Sequence, residues 1–350
     1  MIKKTPIFPL VFALLFTACK KDDIVPTTDY QEVLSDVSYN VILNTYQQLE
    51  LKTASLAGSL SVLKNTPTAS NLEAARQAWR DARDPWEQSE GFLFGPVDQK
   101  GIDPSIDSWP VNQTDLDAVL NSSNALTKAY IDGLDGTLKG FHTIEYLLFG
   151  ENGNKLVGDF TARQFEYLDG CSQSLLGATQ ALNDSWREDK DNFISYIINA
   201  GKAGNTIYPS QKSALEELMY GMITIADEVG NGKINDPFSQ QNVDLEESRF
   251  SKNSKKDFAD NIRSIKNIYL GSYNNKSGKG MSTIIVGKKA QLDAKLISEI
   301  DAAIVAIENI QGSFTEAIFN AKQSVTDAQQ KVRALQQTLE SEALPIISNL

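Results

Sequence analysis

From about Tyr30 onward, apolar residues recur at spacings of three and four, and no sustained alternating run is bounded by hairpin turns. This pattern predicts an all-α fold. The last helix is written most plainly: Phe314, Ile318, Ala321, Val325, Ala328, Val332, Leu335 and Leu339 form one continuous apolar seam. Ser313 and Glu316 have the spacing of a capping box at its start, and Gly312 breaks the helix before it. Ser70 and Glu73 repeat that signature ahead of Leu72, and Pro85 predicts a kink or restart further on. The periodicity predicts helices near 29–57, 71–93, 114–132, 137–149, 161–187, 209–229, 255–270, 285–310 and 314–343. Short connections between long helices favour up-and-down bundles. The Gly-rich segment Gly150 to Gly158 suggests a division into a first bundle over 30–155 and a second over 156–350. Two irregular stretches, Gly95 to Pro110 and Gly230 to Arg249, are too long to be plain turns, and long structured loops are often functional. Gly271 to Gly280 lacks the GxxxxGK[ST] spacing and a preceding strand, so it reads as a flexible loop.

The N-terminus departs from the helical pattern. Lys3 and Lys4 precede an apolar stretch, and Thr17 and Ala18 lead into Cys19. Residues 1–18 therefore read as a signal peptide, too short and Pro-interrupted to span a membrane. The Phe-Thr-Ala-Cys ending resembles a bacterial lipobox, which implies a lipid anchor on Cys19 followed by a polar tether over 19–29. Lys20-Lys21-Asp22-Asp23 resembles the export signals of Bacteroidetes surface lipoproteins, so the expected location is the outer membrane, facing periplasm or medium. With Cys19 acylated, Cys171 is the one thiol left and no intrachain disulfide is possible.

Composition narrows the function. Of 350 residues, 41% are hydrophobic and 22% charged, the balance of a folded protein with a water-facing surface. The formal charge of −12 opposes the phosphate attraction behind nucleic-acid binding, so no nucleic-acid partner is expected. Contact with membrane is expected through the lipid alone. There is a single histidine, His142, which excludes any two-histidine mechanism within one chain.

His142 and Glu145 lie three apart on a predicted helix and so share a face. A His-x-x-Glu pair is a device by which helical bundles bind metal. Glu87 and Glu90 also share a helical face, and Asp103 and Asp107 lie in the irregular loop that follows. One imidazole among carboxylates suits a hard cation such as iron better than structural zinc. The competing readings are ion pairs to Arg80 or Arg83 for the glutamates and turn capping for the aspartates. Trp79, Trp86, Trp109 and Phe94 read as packing.

Gly140, His142 and Glu145 match the Gly-x-His-x-x-Glu hallmark of the imelysin-like family, also classed among the peptidases, which this chain resembles. The resemblance extends over Trp79 to Pro96, Ile106 to Pro110, Glu247-Ser248-Arg249-Phe250, and Ser254, Asp257, Asn261 and Tyr269 to Gly271. It implies two helical-bundle domains with a site at or near their interface, and a link to bacterial iron uptake. The expected metal set is His142, Glu145, Glu90, Glu87, Asp103 and Asp107, supported by Gly140, Trp109, Ser248 and Arg249. The expected cargo is a metal ion, iron or another, free or chelated, and an envelope transport partner is the expected recipient.

A peptidase reading is weakened because His142-Thr-Ile-Glu145-Tyr146 carries tyrosine where HxxEH needs its second histidine, and HExxH is absent. No catalytic residue is assigned. A carboxylate-rich peptidase, a haem protein with His142 or a tyrosine as axial ligand, and a non-enzymatic protein or glycan interaction module remain as alternatives.

Overall fold

The computed structural model describes residues 29–350, so the expected signal peptide, Cys19 and all of the expected tether but Asp29 lie outside the described residues. Eight helices of ten or more residues dominate them: α1 (Asn44–Asn65), α2 (Ala69–Glu87), α3 (Gly140–Phe149), α4 (Ala162–Trp186), α5 (Gln211–Asp227), α6 (Ser254–Leu270), α7 (Met281–Glu308) and α8 (Lys322–Thr338). The sole strands among them, Ser272–Tyr273 and Lys276–Ser277, form a small hairpin where a loop was expected. None of these helices is long and apolar enough to cross a membrane.

Packing sorts the helices into two groups of four. Helix α1 lies against α2 and α4, and α3 packs on both α2 and α4, while α6, α7 and α8 pack in sequence with α5 closing the second group. The change of partner thus falls between α4 and α5, not at residue 155. Residues 150–161 connect α3 to α4 inside the first group, so their glycines mark a turn rather than a linker. The groups meet where α2 lies on α6 and the turn Glu90–Phe92 lies on α5 and α6.

Helix α2 shows how local sequence sets this junction. Thr68, not Ser70, caps it, with its hydroxyl accepting from Asn71 N at 3.2 Å. Leu72, Ala75, Trp79, Ala82 and Trp86 form the buried face, and the same period carries Arg76, Arg83 and Glu87 inward. Pro85 sits in the last turn, and the helix runs on through it to Glu87. The predicted helix 114–132 is broken between Asn121 and Lys128. The helix predicted over 314–343 divides at Ala321, whose extended φ of −130° interrupts the ladder. The capping box at Ser313 is present, with Glu316 N donating to the hydroxyl at 3.2 Å and the Glu316 carboxylate accepting from Ser313 N.

Cys171 is fully buried on α4, and burial pushes its thiol well above the ordinary range. A thiolate-specific reagent applied to residues 20–350 should therefore label no thiol in the native protein and one after denaturation. Rapid native labelling would show that α4 opens readily.

Candidate functional site

The junction encloses a cluster of charged side chains drawn from both groups. Arg83 of α2 stands at its centre, fully buried, paired with Glu87 on its own helix and with Asp107. It also reaches Glu247 at 3.0 Å and Asp257 of α6 at 3.5 Å. Lys233, also buried, lies 3.2 Å from Glu247, 3.7 Å from Glu90 and 3.8 Å from Glu87. Trp86 Nε1 donates to Asp107 at 2.6 Å, and Asn261 of α6 donates to Glu87 at 2.6 Å.

His142 projects from the first turn of α3. Gly140 makes this possible: its φ is +73°, and a Cβ there would lie 2.4 Å from the Ile106 carbonyl oxygen. The start of α3 therefore presses on residues 105–107, bringing His142 Nε2 within 3.0 Å of Asp107 Oδ1. His142 Nδ1 meets Glu145 Oε2 at 3.1 Å, and the other Glu145 oxygen accepts from Ser251 N and Oγ, each at 2.7 Å. Both oxygens of Glu145 are thus engaged, which makes it the group that orients the imidazole.

The cluster holds six carboxylates, Glu87, Glu90, Asp107, Glu145, Glu247 and Asp257, against Arg83, Lys233 and one imidazole. Burial pushes the carboxyls of Glu87 and Glu90 well up, against the pull of Arg83 on the first and Lys233 on the second. Burial opposes ionisation of Asp107 too, yet Arg83 and His142 beside it hold it well below the usual carboxylate range. The imidazolium is likewise opposed by burial but supported by Asp107 and Glu145, which raise His142 to about 9. Burial opposes the charges of Arg83 and Lys233 as well, and the surrounding carboxylates override it, holding both firmly protonated.

Two sets of donor atoms lie close enough together to hold one metal ion: Asp107, His142 and Glu247, and Glu87, Glu90 and Asp107. Arg83 and Lys233 contact carboxylates of both sets, and the first alone includes the imidazole. Two members of the first, His142 and Glu247, line a cavity of about 510 Å³ together with Trp109 and Arg249, and Asp107 is buried beside His142. Here the donor chemistry fits a hard cation. Nε2 of His142 has no well-aligned hydrogen bond, and Glu247 Oε2 and Asp257 Oδ2 are buried without a partner. With Nδ1–H given to Glu145, the Nε2 lone pair would face the Asp107 oxygen at 3.0 Å, an arrangement that calls for a proton or a cation between them.

The structure brings together His142, Glu145, Glu87, Glu90 and Asp107 of the residues singled out in the sequence. Asp103 stays apart: half-buried at the start of the turn Asp103–Ile106, it makes no side-chain hydrogen bond or ion pair among the described residues. Its carbonyl accepts from Asp107 N, and burial with the nearby Asp107 charge pushes its carboxyl up to about 6. Trp109 stacks obliquely near His142, with ring centroids 6.2 Å apart. Ser248 is buried, and Arg249 pairs with Glu151 at 2.8 Å on the cavity wall. The ion pair of Arg83 with Glu87, weighed from the sequence as a surface contact, is present but buried, while sequence reasoning missed Lys233 as a counter-cation and Glu247 and Asp257 as partners. The signal for Arg83 was its place on the Trp79–Trp86 face of α2, whereas Lys233 carried none.

Residues 42–343 match the family model described as Imelysin. Iron-regulated protein A of Synechococcus elongatus is 29% identical over 342 residues, which cover 96% of this chain and 91% of that protein. A crystal structure assigned to an iron-regulated protein A precursor from Parabacteroides distasonis matches with a TM-score of 0.81 at 26% identity, covering 91% of this chain and 94% of the other. An imelysin-like protein from Psychrobacter arcticum matches with a TM-score of 0.73 at 12% identity over 91% and 95% of the two chains, a likeness of fold alone.

Proposed function

The chain belongs to the imelysin family, and from that premise we propose that it is a cell-envelope lipoprotein, anchored through Cys19, that binds iron or another metal in metal uptake. Its site is His142 and Glu247 at the cavity wall with Asp107 beside the imidazole, Glu145 orienting the ring and Arg83 and Lys233 holding the carboxylates together. The cargo, free or chelated, would pass to a transport partner in the envelope. The observation that carries this reading is the pairing of His142 Nε2 with Asp107 Oδ1 at 3.0 Å without hydrogen-bond alignment, beside an unpartnered oxygen of buried Glu247. Similarity to proteins named as iron-regulated supports iron as the metal.

A bound cation would take the place of the proton between imidazole and carboxylate. In a carboxylate–histidine–metal arrangement the outer carboxylate sets the tautomer, so Glu145 acts on the metal through His142. The test is titration of residues 20–350 with Fe2+ under anaerobic conditions, Fe3+ as its nitrilotriacetate complex, Zn2+ and Ca2+. His142→Ala should abolish saturable binding, and Glu145→Ala should weaken it by roughly 10–100-fold. Both variants should keep the native helical circular dichroism. A wild-type protein that binds none of these metals, or variants that melt early with unchanged affinity, would make the pair structural.

A further inference from the structure

A second cavity, of about 400 Å³, shares no lining residue with the one at His142. It lies between the 90–99 segment, Phe193 and α5. Gly221 lets α5 come this close, since a Cβ there would stand 2.1 Å from the Gly91 carbonyl oxygen. Phe94 and Phe193 form part of the lining and both rest on buried Trp186, with ring centroids 5.9 and 5.0 Å away. Tyr208 and Tyr220 supply two further aromatic rings.

The ionisable groups on this lining are all carboxyls, Glu90, Asp98 and Glu217, and of these Glu90 already lies 3.7 Å from Lys233. Glu217 is half-buried and makes no side-chain hydrogen bond or ion pair among the described residues, and burial alone pushes its carboxyl up. Tyr208 is only 5% exposed, yet its hydroxyl has no hydrogen-bond partner among the described residues. A carboxylate and a phenol hydroxyl without protein partners, beside four aromatic rings, describe a ligand that is cationic, partly apolar and able to meet ring faces. A bare metal ion fits poorly, because neither Glu217 nor Asp98 belongs to a set of donor atoms close enough to share one. A neutral apolar ligand would strip water from the carboxylates without replacing it.

We propose that this cavity is a binding site for a small organic cation, of the alkylammonium or quaternary ammonium class, held between Phe94, Phe193, Tyr208 and Tyr220 and neutralised by Glu217, with Asp98 adding to the field. The inference does not rest on the proposed metal site, because neither Glu217 nor Tyr220 lines the cavity at His142.

The probe is choline chloride, titrated calorimetrically into residues 20–350 in chelator-treated buffer, with 3,3-dimethylbutan-1-ol as its uncharged isostere. Choline should bind saturably in the millimolar range or tighter. Glu217→Gln and Tyr220→Ala should each weaken it by roughly 3- to 30-fold. Tyr220 is 52% exposed and the Glu217 carboxylate is unpaired, so both variants should fold, which circular dichroism checks. The isostere should bind far more weakly than choline. Absence of saturable choline binding overturns the proposal, as does an isostere that binds equally well. Unchanged affinity in both folded variants would place the cation elsewhere and overturn it too.

Discussion

Replacing Arg83 with methionine should lower the stability of the protein by about 3–5 kcal/mol, the usual cost of removing one partner from a buried ionic group. The guanidinium contacts Glu87, Asp107, Glu247 and Asp257 at once, and it is fully buried. Methionine keeps much of the volume, so cavity formation contributes little and the loss reports on charge. Lysine at this position should recover only part of the stability, because a point charge cannot reach four carboxylates as a planar fork does. Urea unfolding followed by circular dichroism provides the measurement. A loss below about 1 kcal/mol would mean that the carboxylates neutralise one another by taking up protons, contrary to the ionic cluster described above.

Gly140→Ala should be the most damaging small substitution at the site. The new methyl group would overlap the Ile106 carbonyl at 2.4 Å, on a residue whose φ of +73° already disfavours a side chain. Backbone strain and overpacking together should cost about 2–5 kcal/mol. Relief requires α3 and residues 105–107 to separate, carrying His142 away from Asp107. Metal affinity should therefore fall along with the unfolding midpoint. Gly101→Ala is the control, because its φ is +59° but nothing lies within 4 Å of the added Cβ. It should cost about 1 kcal/mol and leave affinity unchanged. Equal effects at the two glycines would show that close packing of α3 on the 105–107 segment is unimportant.

Much of the fold was legible because helical periodicity is local. The seam from Phe314 to Leu339 is buried almost throughout, and the Ser313 capping box forms as its spacing predicts. Breaks inside a periodic run were not legible: Ala321 is a good helix former, yet its φ is −130°. The assignment of α4 to the first group depends on long-range packing against α1, which periodicity does not encode.

The site divides in the same way. The His142–Glu145 pair follows from three-residue spacing, and α2 carries Glu87 inward by its period. Asp103 stood out by proximity to Asp107 in sequence, but its carboxylate joins neither set of donor atoms close enough to share an ion. Glu247 and Asp257 lie in segments that had drawn attention as blocks, though nothing local shows that they close around Arg83. Lys233 is a lone basic residue after an exposed asparagine and a glycine, and only tertiary structure reveals it as buried.

The Arg83 cluster also has a consequence for the order in which the molecule matures. Glu247 follows Arg83 by 164 residues and Asn261 follows Glu87 by 174, so a chain made from its N-terminus exposes half of the cluster long before the other half exists. Until then Arg83 and Asp107 have water for company, and the first four helices can assemble only a loosened version of their inner face. The junction should therefore be among the last parts of the protein to become native, and a truncated or nicked chain would not carry a working site.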